Sequence, residues 1–247
     1  MPPPPTKNRL SQLRRAADKG DAAAQFDLGV MYASGLGAPQ DDAQAVAWYR
    51  RAAEQGYAAA QHLLGVMYEN GHGIRQDDAQ AVACYRLAAE QGYAVAQYNL
   101  GVMYEHGHGV KQDDVRAVAW YRQAADQGLA TAQLDLGVMY ERGHGVQQND
   151  PQAVAWYRLA AEQGDTAAQM RLGVNYQHGR GVAEDLVLAH MWFSVAASRR
   201  SGSARTESAR SRDSVAMKLS LQQLADAQQR TREWQAAFEK RTHTPLA

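Results

Sequence analysis

Leu28-Gly29-Val30-Met31-Tyr32 returns as Leu64–Tyr68, Leu100–Tyr104 and Leu136–Tyr140, and again as Leu172–Tyr176 with Asn175 in place of methionine. The step is 36 residues each time, with no insertion or deletion. A constant period of that size marks units that cannot bury their apolar sides alone and do so by stacking. The quoted stretch therefore decides the fold class: all-α, an α/α superhelix (solenoid) of five helix-pair repeats.

Within one unit, Ala22 to Ser34 holds strong helix formers and no proline. Ala24, Leu28 and Tyr32 fall on one helix face. Gly35-Leu36-Gly37 stops that helix, and Asp41 is suited to cap a second one running to about Gln55, closed by Gly56. The capping column reads Asp41, Asp77, Asp113, Asn149 and Asp185. Of the 21 glycines, only Gly202 lies outside four columns of the repeat. Three columns are helix exits that want positive φ. The Gly29 column is mid-helix, where glycine costs about 1 kcal/mol against alanine, and close helix approach is the expected reason. Trp48, Cys84, Trp120, Trp156 and Trp192 share one position of the second helix, and Tyr49, Tyr85, Tyr121, Tyr157 and Phe193 share the next.

The ends read as follows. Residues 1–9 are proline-rich and polar and are expected to form a disordered tail. Residues 10–20 match the second half of a repeat. Residues 21–200 hold the five units. Residues 201–247 are expected to form a Ser- and Arg-rich connector followed by a capping helix. That helix opens at the capping box Ser220-Leu221-Gln222-Gln223 and runs to about Lys240, with Leu221, Leu224, Ala225, Gln228 and Trp234 on its apolar side.

Lys plus Arg and Asp plus Glu both number 26, so the chain carries no net pull toward nucleic acid or anionic lipid. One cysteine precludes an intrachain disulfide framework, and no apolar run is long enough to span a bilayer. No charged-then-apolar leader opens the chain, which as given reads as cytoplasmic; a chain trimmed of a signal peptide would be periplasmic or secreted and would look the same.

The pattern Ala24, Leu28, Gly29, Tyr32, Gly35, Gly37, then Asp41, Ala45, Trp48, Tyr49, Ala52, Ala53, Gly56 resembles the Sel-one-like repeat family, relatives of the tetratricopeptide repeats. The resemblance covers about residues 10–200. It implies antiparallel helix pairs wound into a right-handed superhelix that serves as a protein-binding scaffold. Family members act as adaptors in signalling, protein quality control and host or cell-envelope interactions. Cysteine-rich relatives linked to penicillin binding staple each repeat with a disulfide, and this chain lacks those cysteines.

Columns that stay constant serve stacking, whereas columns that vary are free for recognition. By tetratricopeptide analogy the varied stripe of the first helices lines the concave side. Its floor is Phe26, His62, Tyr98, Leu134 and Met170, beside Val30, Val66, Val102, Val138 and Val174. A carboxylate row of Glu69, Glu105 and Glu141 runs along the edge, flanked by Ala33 and Gln177, with His106 and Arg142 in the outermost column. This groove suits a peptide with apolar anchors and some Lys or Arg. The competing reading is that the same side chains only pack on the next repeat.

Other chemistry is weighed against this. Five Gly-x-Gly copies are helix stops without a phosphate-binding frame. His72, His108 and His144 repeat too far apart for one metal ion. Cys84 stands in the tryptophan column as a small filler. Six basic residues from Arg199 to Lys218 read as a solvated connector rather than a nucleic-acid contact. The sequence thus predicts a non-enzymatic adaptor with a protein or peptide partner, no cofactor, no metal and no membrane insertion. It is expected to be a monomer, with self-association through end repeats as the structural alternative and an envelope β-lactam hydrolase as the enzymatic one.

Overall fold

The computed structural model describes residues 7–199 and 201–243. Among them are thirteen helices and no strands. A lone helix α1 (Lys7–Asp18) is followed by the pairs α2 (Ala22–Ser34) and α3 (Asp42–Glu54), α4 (Ala58–Asn70) and α5 (Asp78–Glu90), and α6 (Ala94–His106) and α7 (Asp114–Asp126). Next come α8 (Ala130–Arg142) with α9 (Asp150–Glu162), and α10 (Thr166–His178) with α11 (Leu186–Arg199). The chain closes with α12 (Gly202–Ala216) and α13 (Leu221–His243). Of the tail assigned to residues 1–9, residues 1–6 lie outside the described residues, and α1 already begins at Lys7. Arg200 also lies outside them.

The chain divides into two compact units, Met1–Ala124 and Ala125–Ala247. In the first, α1 packs on α2, α2 on α3 and α4 on α5, α6 meets α7 where Gly101 faces Tyr121, and α3 and α5 pack on the first helix of the following pair. The second unit repeats this through α8–α11, then adds α12 and α13 against α11.

Local chemistry sets each element. In all five second helices, the cap residue's side chain accepts from the backbone N–H three residues on: Gln44 to Asp41, Gln80 to Asp77, Arg116 to Asp113, Gln152 to Asn149 and Leu188 to Asp185. First helices end on a left-handed glycine, as at Gly71 with φ 69°. The mid-helix glycine has the reason its position suggested. A Cβ on Gly101 would stand 2.6 Å from Cδ1 of Tyr121, a fully buried ring. Gly73 does more than end a helix: a Cβ there would run into the carbonyl of Asp42, where the loop of one repeat seats on the second helix of the repeat before.

A buried glutamine ladder ties repeat to repeat. Gln25, Gln61, Gln97, Gln133 and Gln169 each donate Nε2 to the carbonyl eight residues earlier, that of Ala17, Ala53, Ala89, Ala125 and Ala161. Their Oε1 atoms accept in turn from the glutamine at the second-helix exit, Gln55 to Gln25, Gln91 to Gln61 and Gln163 to Gln133. In the fifth repeat Arg199 holds that exit position and Gln169 Oε1 has no partner.

The C-terminal segment differs from the sequence expectation. The stretch read as a connector is helix α12, and its first residue, Gly202, continues the 36-residue series Ala22, Ala58, Ala94, Ala130 and Thr166. It is a first helix stripped of the motif: Ser208 stands in the Leu28 column, fully buried, with its hydroxyl donated to Ala204. Only Ser208 and Val215 need burial, so polar composition elsewhere on the helix costs little. The capping box forms reciprocally, Ser220 N–H to Gln223 Oε1 at 2.9 Å and Gln223 N–H to Ser220 Oγ at 3.3 Å. The buried side of α13 is Ala227, Trp234 and Phe238, whereas Leu221, Ala225 and Gln228 are exposed. Trp234 meets Trp192 edge-on at 5.7 Å and stacks on Phe238 at 5.1 Å. Leu221 at the start of α13 is exposed and Leu224 is half-buried, and the aromatic pair lies on the inward face.

Candidate functional site

The stripe singled out from the sequence lies on the first helices. In the first unit Phe26 is half-buried, with its ring 6.0 Å from Tyr49 and 5.2 Å from Tyr57. His62 is 8% exposed, packed between Tyr85 and Tyr93, with Nε2 3.2 Å from Asn99 Nδ2. Burial holds the His62 pKa below its ordinary value, and Nδ1 has no partner. Tyr98 sits 5.6 Å from Tyr121. Val30 is exposed, while Val66 and Val102 are half-buried. This column therefore packs against the tyrosines of the second helices as well as presenting an edge to solvent.

In the second unit, Leu134 and Val138 lie half-buried against the core formed by Ala168, Leu172 and their neighbours. Met170 and Val174 pack with Val215 and Leu219 from the C-terminal segment. His106 and Arg142 are exposed, and His106 meets His108 edge-on.

The carboxylate row has a specific support that inspection of the varied columns missed. Tyr85 donates its hydroxyl to Glu69, Tyr121 to Glu105 at 2.6 Å, and Tyr157 to Glu141 at 2.8 Å. Burial, reinforced by the Glu69 carboxylate, pushes the Tyr85 phenol well up, so it stays a donor throughout the physiological range. The columns carry only part of this signal: Phe193, which has no hydroxyl, is matched by Gln177, whereas Tyr49 is matched by Ala33. The three carboxylates are not equivalent. Glu141 is paired with Arg171 Nη1 at 2.7 Å, and that guanidinium also lies 5.5 Å from the Tyr157 ring. Among the described residues no cation pairs with Glu69 or Glu105.

Outside this stripe, the other chemistry-bearing residues stay apart. His72, His108 and His144 are exposed, and no group of three or more His, Cys, Asp or Glu among the described residues is placed to hold a metal ion. Burial pushes the half-buried Cys84 thiol up to about 11, which works against thiolate chemistry. No helix among the described residues is long and apolar enough to cross a membrane.

Helix pairs at a 36-residue period, glycine-seated tyrosines and a repeat-to-repeat glutamine ladder define a helical-repeat protein of the α/α solenoid class. The chain belongs to the Sel1 repeat family, whose model matches residues 22–57, 58–93, 94–129, 130–165 and 166–201. It is similar to the crystal structure of a Sel1 repeat protein from Oxalobacter formigenes, 36% identical with a TM-score of 0.76, over 80% of this chain and 82% of that one. A sel1 repeat protein from Klebsiella pneumoniae shares the fold at 22% identity and a TM-score of 0.51, over 84% of this chain and 99% of that one. An immunity protein from Pseudomonas aeruginosa, Pa5087, aligns at 22% identity with a TM-score of 0.48, over 76% of this chain and 72% of that one. Among curated proteins none matches.

Proposed function

We propose that this chain is a non-enzymatic adaptor that takes a peptide segment or protein surface of a partner on the exposed edge of its first helices. The reading rests on one observation above the rest: Glu69 and Glu105 are each fixed by a tyrosine hydroxyl, yet among the described residues neither has a cation of its own. A carboxylate held in place loses little entropy on meeting a ligand, so it contributes more to binding than a free surface charge. Beside the two carboxylates lie Val66, Tyr98 and Val102, half-buried and able to receive apolar anchors. Arg171 on Glu141 serves as an internal picture of the ligand group, a guanidinium meeting carboxylate and tyrosine ring together. The preferred ligand is an extended or helical segment with apolar anchors and Arg or Lys at two positions.

Selection from a displayed random-peptide library by the intact chain tests this. Peptides carrying paired basic residues beside apolar ones are expected, with affinity falling as salt rises. The variant Glu69→Lys with Glu105→Lys is expected to lose them while keeping its helical circular dichroism. Enrichment of peptides without basic residues, or equal binding by the variant, would overturn the reading.

A further inference from the structure

The outward face that α13 covers on α11 is left open one repeat earlier, on α9. In α11 the outward positions Trp192, Ser198 and Arg199 are covered by α13: Trp234 meets Trp192, Gln235 Nε2 donates to Ser198 Oγ at 3.0 Å, and Arg199 lies over the Phe238 ring at 4.1 Å. The same positions one repeat earlier, on α9, are Trp156, Glu162 and Gln163, with Leu159 standing where α11 has Val195. There Leu159 is 45% exposed, and Pro151, Ala155, Trp156 and Leu159 line an open, shallow depression of about 490 Å³.

The other outward faces are not like this. In the first unit Arg51 closes over Trp48 at 4.6 Å, Cys84 stands in place of tryptophan beside Leu87, and Trp120 has the polar Gln123 beside it. Only α9 combines the tryptophan with an exposed leucine and a proline-lined edge. The covered and uncovered faces are also continuous. Arg241 of α13 donates to the carbonyl of Glu162 at 3.4 Å, and Phe238 reaches Gly164, so the far end of α13 already lies at the exit of α9.

We infer that the outer face of α9 is a docking site for an amphipathic helix of a partner protein, one bearing two aromatic residues four apart as α13 bears Trp234 and Phe238. Such a helix would extend the layer that α13 begins, with an aromatic ring on Trp156 and apolar contact to Leu159 and Pro151. Of the contacts that α13 makes on α11, the ring on the tryptophan is the one that α9 can repeat, through Trp156. The site is independent of the first-helix edge and of its carboxylates.

The probe is a synthetic peptide of residues 221–243, added to the full chain labelled with nitrogen-15. The chain's tryptophan indoles report by position. Saturable shifts are expected at the Trp156 indole, with Trp192 and Trp234 unmoved. Leu159→Glu in the full chain is expected to weaken binding about tenfold, and a peptide with Trp234→Ala and Phe238→Ala is expected not to bind. Because Leu159 is exposed, its replacement leaves the fold intact, checked by the remaining indole signals. An unshifted Trp156, unchanged affinity of the Leu159→Glu chain, or shifts centred on Trp192 and Trp234 would each overturn the inference, the last by showing exchange with the resident helix instead.

Discussion

Tyr121 is fully buried and donates its hydroxyl to Glu105 at 2.6 Å across the two helices of its repeat. One side chain thus fills the core and orients a surface carboxylate. Tyr121→Phe keeps the ring and removes the donor. The expected outcome is a fold of unchanged helicity whose affinity for a selected basic peptide falls about three- to tenfold, the worth of roughly one hydrogen bond to a charged group. Titration calorimetry beside Glu105→Lys separates loss of orientation from loss of charge.

The same ring makes Gly101 irreplaceable. Alanine would gain about 1 kcal/mol of helix propensity, but its Cβ would stand 2.6 Å from the buried ring and 3.3 Å from the Ala117 carbonyl. Overpacking a closed site costs about 1–3 kcal/mol or more, and neither neighbour can yield. Gly101→Ala is therefore expected to be less stable in urea, against the direction that propensity alone gives.

His62 makes stability depend on pH. Burial lowers its pKa from 6.5 in the folded chain, so the unfolded chain binds a proton that the folded chain refuses. His190, buried and beside Arg212, behaves likewise. The unfolded state gains protons as pH falls below 6.5, so the stability present above that value declines toward the lowered folded pKa. Urea midpoints measured between about pH 7.5 and 5.5 are expected to fall, and His62→Phe, the residue of the first repeat at this position, is expected to flatten the decline.

Gln91 Nε2 donates to Gln61 Oε1 at 2.6 Å. Gln91→Ala leaves a buried acceptor without its donor, a loss of about 1–3 kcal/mol. Hydrogen exchange is expected to rise first in α4 and α5, because stability in a stacked array is set by neighbour contacts.

Particular residues show how far the sequence could be read. The Asp41 column gave the start of every second helix, because a cap is a contact between residues three apart. The Gly29 column gave close helix approach, because a glycine in mid-helix is costly without a reason. Ser201 to Asp213 misled, since its composition is that of a connector; its register at 36 residues was the better guide. The stripe through Phe26 and His62 could be placed on the first helices, but not its packing on Tyr49 and Tyr85, which lie 23 residues further on. The tyrosine–carboxylate pairs left a trace in the matched change at Gln177 and Phe193, faint because the first repeat sets Tyr49 against Ala33.

The amino-acid sequence by itself determined the helix pairs, their period and the family, because each follows from contacts repeated at short, fixed spacing. Tertiary structure alone decided which carboxylates remain without a cation, which tryptophan face α13 covers, and which glutamine ends the ladder without a partner. Those outcomes depend on residues from neighbouring repeats and from the C-terminal helix meeting in space, where local periodicity has no say.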